Sequence, residues 1–111
     1  MRTGFRKKQG PSGRDEQTPW FLYILRCGDG TLYTGIATNV AERLAKHECG
    51  RGARYTRGRG PLELRAIRRC ADKSRALRLE HAVKRLSRAE KEALLGKGRL
   101  SAFARRVLRA R

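Results

Sequence analysis

Apolar residues in this chain come in short blocks, and the spacing changes from block to block. Trp20-Phe21-Leu22-Tyr23-Ile24-Leu25 is an unbroken aromatic and branched run, which suits a strand better than a helix. Gly28-Asp29-Gly30 follows, then Leu32-Tyr33-Thr34-Gly35-Ile36, and the two runs read as a β-hairpin. Glu42 lies three residues after Asn39, the reciprocal capping pattern of a helix N-terminus. With Val40, Leu44 and His47 at helical spacing, it predicts a helix over about 40–48, ended by Cys49-Gly50. Residues 50–60 have four Arg, four Gly, one Tyr and no apolar period, and read as an exposed basic loop. Residues 61–67 partly alternate and predict a third strand. Asp72 or Ser74 then caps a helix with an apolar stripe of Ala76, Leu79, Val83 and Leu86. Ser87 and Glu90 form a second capping box, opening a short helix that Gly96 stops.

The predicted order is β-β-α-β-α-α, an α+β domain over 19–96. The polar, Gly- and Arg-rich residues 1–18 read as a disordered basic arm. Residues 97–111 read as a basic tail in which Phe103, Val107 and Leu108 hint at a weak final helix. At 111 residues there is room for one compact domain with a modest core.

Charge narrows the partner. Twenty-eight Lys+Arg against ten Asp+Glu give a net +18, pointing to a polyanion. Residues 19–96 alone are +9, so the excess belongs to the folded body as well as to the ends. No apolar run is long enough to span a membrane, and the N-terminus lacks the apolar stretch of a secretory signal, so the expectation is a cytoplasmic protein. Cys27, Cys49 and Cys70 are odd in number, widely spaced and without a CxxC pair, and read as buried or half-buried free thiols.

Three groups of residues carry candidate chemistry. If the hairpin loop is the three residues Gly28-Asp29-Gly30, Tyr23 faces Gly35 and Tyr33 faces Leu25, all on one side of the sheet. A two-residue loop would send the two rings to opposite faces. The three-residue register also predicts a gap beside the Tyr23 phenol, over Gly35, for a phosphate backbone; the bland alternative is aromatic packing on a sheet face. Arg43 and His47 are four apart and share a helix face, one offering a planar fork to phosphate and the other a proton near neutrality. Alone, such a pair is equally a solvated basic face. Glu80 sits among Arg75, Arg78, His81, Lys84 and Arg85, beside Leu79. A carboxylate on a nucleic-acid-binding surface weakens binding unless it holds something, and a divalent cation is the natural candidate. The alternative is an ion pair with a neighbouring Arg or Lys.

These residues resemble a family. Phe21-Leu22-Tyr23, nine residues, then Tyr33-Thr34-Gly35 resemble the paired motifs of the GIY-YIG nuclease superfamily. The likeness runs on through Asn39-Val40-Ala41-Glu42-Arg43-Leu44, His47 and Leu77-Arg78-Leu79-Glu80, and in detail is closest to a small single-domain bacterial subfamily. It implies a three-stranded antiparallel sheet flanked by helices, and phosphodiester hydrolysis with one divalent metal, Mg²⁺ or Mn²⁺. By position, Tyr23 and Tyr33 match the motif tyrosines, Arg43 the phosphate-binding arginine, Glu80 the metal-binding glutamate, and His47 a histidine of several branches. An asparagine that many members carry after the glutamate helix has no counterpart, Asn39 being the chain's only Asn.

The mechanism so implied is in-line attack of water on phosphorus, with Tyr23 favoured as base, its phenol acidified by nearby Arg and metal, and Tyr33 orienting water or phosphate. The expected substrate is DNA, branched or single-stranded forms included, cut by a monomer with low sequence specificity. Arg51, Arg54, Tyr55, Arg57 and Arg59 of the basic loop are the expected nucleic-acid contacts, Tyr55 stacking on an unpaired base. Two rival readings are a non-catalytic nucleic-acid-binding module and a protein-interaction domain.

Overall fold

The structure is a computed structural model describing residues 18–49 and 59–109. Its elements are β1 (Trp20–Arg26), β2 (Leu32–Ala37), α1 (Val40–Glu48), β3 (Glu63–Cys70), α2 (Lys73–Lys84), α3 (Arg88–Ala93) and α4 (Arg99–Arg109). The strands form one antiparallel sheet in the order β2-β1-β3. This is the α+β class expected, with a three-stranded antiparallel sheet flanked by helices.

The unbroken apolar run of β1 is explained by its central position, since side chains alternate to two covered faces. Leu22 and Ile24 point to one face and meet Leu32, then Ala76, Leu79 and Val83 of α2, Leu94, and Leu100 and Ala104 of α4. Tyr23 and Leu25 point to the other and meet Cys27, Ala37 and Leu62, with Tyr33, Val40 and Leu44 packed against them. The smaller of the two core clusters is thus built around the candidate tyrosines.

The bounds of the third strand and the exposure of one cysteine depart from the sequence reading. The third strand runs Glu63–Cys70 instead of 61–67. Pro61 has no N–H to give a ladder, while Arg68, Arg69 and Cys70 pair with Leu22, Phe21 and Trp20 whatever their polarity. A register shift between Ile24 and Leu25 leaves Arg65 as the extra residue of a bulge on this edge strand. Segment 97–111 carries α4, with Leu100 and Ala104 buried against α2 and β3. Cys49 is exposed, whereas Cys27 and Cys70 are buried; all three are free thiols. Apart from Thr18, the N-terminal arm lies outside the described residues.

Candidate active site

The hairpin turn sets the site. Cys27 donates to the Thr31 carbonyl and Gly30 donates back to Cys27, both at 2.8 Å, closing a loop of Gly28, Asp29 and Gly30. Gly30 has φ +89, a left-handed conformation that suits glycine at the third position. Asp29 locks the turn by accepting from the Thr31 amide at 3.1 Å and hydroxyl at 2.6 Å, and from Arg59. These bonds, the Thr31 hydroxyl first, hold its carboxyl down at about 2. The opposite edge of the hairpin is tied to α3: Arg26 grips Glu92 with both nitrogens, and Arg88 bonds Glu92 and the Gly30 carbonyl.

This loop length yields the predicted register, Tyr23 opposite Gly35 and Leu25 opposite Tyr33. The two phenol rings lie on one face, 6.3 Å apart. The gap expected over Gly35 is filled by the Tyr23 ring itself. A Cβ there would stand 2.6 Å from the Tyr23 hydroxyl oxygen and 2.7 Å from Cζ. Glycine at 35 is therefore a seat for the phenol, not an opening for phosphate.

Helix α1 brings the other groups. Asn39 caps it by accepting from the Glu42 amide at 3.0 Å. One turn in, Arg43 is the polar and cationic partner that favours ionisation of the Tyr23 phenol. One turn further, His47 is 2% exposed, with Nε2 3.0 Å from the Tyr23 hydroxyl and its ring 5.2 Å from that of Tyr33. Burial first, then Arg43, lower the His47 pKa, so the imidazole is neutral at neutral pH. Tyr23 is pushed up to about 12, by burial first and then by Tyr33; Arg43 opposes this and loses. Nearby Arg, expected from sequence to acidify the Tyr23 phenol, does not do so. Burial of the phenol is the reason: at 1% exposure desolvation outweighs one guanidinium. Its proton needs an acceptor, and His47 Nε2 supplies one.

Glu80, on α2, acts electrostatically on Tyr23. Its side chain is 14% exposed and pairs with Lys84 at 3.3 Å, so the ion-pair alternative is realised. Among the described residues no group of three or more His, Cys, Asp or Glu converges as a metal cage. One hard carboxylate beside a substrate phosphate still fits Mg²⁺, which keeps several waters and takes one or two carboxylates.

Of the five residues singled out on sequence, Tyr23, Tyr33 and His47 are in direct contact, and Arg43 and Glu80 act on Tyr23 through their charge. Of the basic loop, Arg51, Arg54, Tyr55 and Arg57 lie outside the described residues, and Arg59 is ion-paired to Asp29. The locks at Asp29 and Glu92 were not foreseen. Asp followed two residues later by Thr was the available signal for the first; the second joins positions 66 apart and left none.

A family sequence model described as "GIY-YIG catalytic domain" matches residues 19–93. The chain belongs to the GIY-YIG family. Within that family it is similar to UPF0213 proteins. One from Natronomonas pharaonis is 53% identical over 75 residues, covering 68% of this chain and 88% of its own length. One from Vibrio cholerae is 52% identical over 79 residues, covering 70% and 78%. A UPF0213 protein from Bacillus halodurans, solved by NMR, is 45% identical, with 75% of this chain and 93% of that one covered and a TM-score of 0.48. The GIY-YIG match closes at α3, so α4 lies beyond it. No helix among the described residues is long and apolar enough to cross a membrane.

Proposed function

We propose that this GIY-YIG domain is a metal-dependent endonuclease that hydrolyses phosphodiester bonds in DNA. The observation that carries the reading is the buried Tyr23–His47 pair, with the exposed Arg43 acting on the same phenol from the preceding turn of α1. Membership of a nuclease family and the net +18 agree with it.

Arg43 holds a non-bridging oxygen of the scissile phosphate and stabilises the charge that develops there. Burial reassigns the two phenols. Tyr23, enclosed, bonded to His47 and acted on by Arg43, is a positioning residue. Tyr33 is half-buried, so water reaches it, and as the phenolate, its own proton first lost to solvent, it takes the proton of the attacking water. A divalent ion held on Glu80, when bound, polarises the phosphate.

The Glu80–Lys84 pair favours one alternative, a non-catalytic nucleic-acid-binding module of the same fold. A panel of duplex, nicked, flap, junction and RNA substrates with Mg²⁺ or Mn²⁺, run beside Glu80→Ala, decides. The nuclease reading expects metal-dependent cutting that Glu80→Ala abolishes. The binding-module reading expects no cutting by either protein, with equal or tighter binding by the variant.

A further inference from the structure

Beside the catalytic cluster lies a cleft of about 230 Å³. It opens along the free edge of β2 and the first turns of α1, and its walls include Trp20, Ile36, Asn39, Glu42, Arg43 and Lys46. Arg43 is shared: its guanidinium acts on Tyr23, and the same side chain borders the cleft.

We infer that this cleft receives one unpaired nucleobase, that of a nucleotide flanking the phosphate held by Arg43. The inference rests on the nuclease reading for the placement of that phosphate. Three features select a base. The cleft is too small for a cofactor-sized ligand but admits a single planar ring system. Trp20 and Ile36 supply the aromatic and apolar contacts that a base, but not a phosphate, exploits. Glu42 on the wall repels a phosphate group there, while its carboxylate can accept from ring or amino N–H groups. Lys46, one turn beyond Glu42, is exposed and placed for the backbone of the strand carrying the base. A base stacked inside a duplex cannot reach the cleft, so the favoured substrates carry an unpaired nucleotide beside the cut: single strands, flaps and fork ends.

Trp20 is the only tryptophan, which makes the cleft its own reporter. The full-length protein in EDTA and low salt is titrated with a dC12 strand, an abasic strand of the same length, and a blunt duplex. Trp20 emission and fluorescence anisotropy of labelled strands are recorded together. All three should raise anisotropy, since all carry phosphates, but only the strand with unpaired bases should quench Trp20, and it should bind about tenfold more tightly than the abasic strand. Lys46→Glu should weaken all binding without changing which strand quenches. Equal quenching by abasic and base-bearing strands, or binding of the dC12 strand without quenching, overturns the inference. Cleavage in Mg²⁺ is read separately: cutting of abasic and normal single strands at equal rates leaves the nuclease reading standing and removes the base subsite. Base-dependent quenching with no cutting of any substrate leaves the subsite and removes the nuclease. No binding of any strand removes both.

Discussion

The Tyr23 hydroxyl lies 3.0 Å from His47 Nε2, joining the central strand to the last turn of α1 across 24 residues of sequence. With Arg43 acting on the same phenol from the preceding turn, Tyr23 stands between two helix residues. Removing either hydroxyl therefore has different consequences. Tyr23→Phe takes away the bond to a buried imidazole and should destabilise the fold by about 1–3 kcal/mol, with a partial loss of cleavage as Arg43 loosens. Tyr33→Phe should leave the denaturation midpoint near wild type and lower cleavage about 10²- to 10⁴-fold, the span of a general base. Urea melts and single-turnover rates of the two variants check this; the reverse pattern would return the base role to Tyr23.

His47 also makes stability depend on pH in a defined window. Burial, then Arg43, hold its folded pKa below the ordinary value near 6.5. The unfolded chain therefore binds more protons just below that pH, and stability is complete above about 6.5 and falls as pH drops beneath it. Asp29 and Glu92, each held at about 2, add losses only at more acid pH, below their ordinary 3.8 and 4.5. Wild type should therefore weaken between pH 7.5 and pH 5, and His47→Gln should weaken less over the same interval. Identical losses measured by urea midpoint at the two pH values would sink the idea.

Gly35 carries a sharper steric prediction. A methyl group there meets the Tyr23 hydroxyl at 2.6 Å and Tyr33 Cε2 at 3.1 Å, and the Tyr23 ring, fully enclosed, cannot swing away. Gly35→Ala should cost about 1–3 kcal/mol by overpacking and reduce cleavage, because both phenols must shift. An unchanged thermal midpoint would show that the ring yields.

Most of the site was legible because its determinants are local or periodic. The length of the Gly28-Asp29-Gly30 loop fixed which face Tyr23 and Tyr33 share, and a four-residue spacing stacked His47 on Arg43. What stayed hidden is set by three-dimensional crowding. The pKa of Tyr23 depends on how completely α1 and the sheet enclose it, which residue types do not reveal. The occupant of the space over Gly35 was misread for the same reason: register says which residue stands opposite, not where a ring of that size comes to rest. The end of β3 was obscured because its pairing with β1 runs on through Arg68 and Arg69, charged residues that break apolar alternation. Helix α4 was undervalued because its arginines dominate the composition, though Leu100, Phe103, Ala104 and Val107 keep a helical stripe.

That last helix makes a prediction about the extent of the folding unit. Leu100 is 5% exposed and Ala104 fully buried, in the same cluster as Leu22, Leu79 and Val83. Arg78 of α2 also donates to the Val107 carbonyl, tying the two helices at their outer edge. Leu100→Ala removes apolar volume from the middle of this layer and should destabilise the protein by about 2–5 kcal/mol, a large share of the stability of so small a domain. Arg105→Ala, on the exposed side of the same helix, should leave the denaturation midpoint unchanged within about 0.5 kcal/mol. If both substitutions prove neutral in urea melts, α4 is an appendage and the fold is complete at α3. If Leu100→Ala alone is costly, the helix beyond the family match is part of the core that supports Tyr23 from the opposite face of β1.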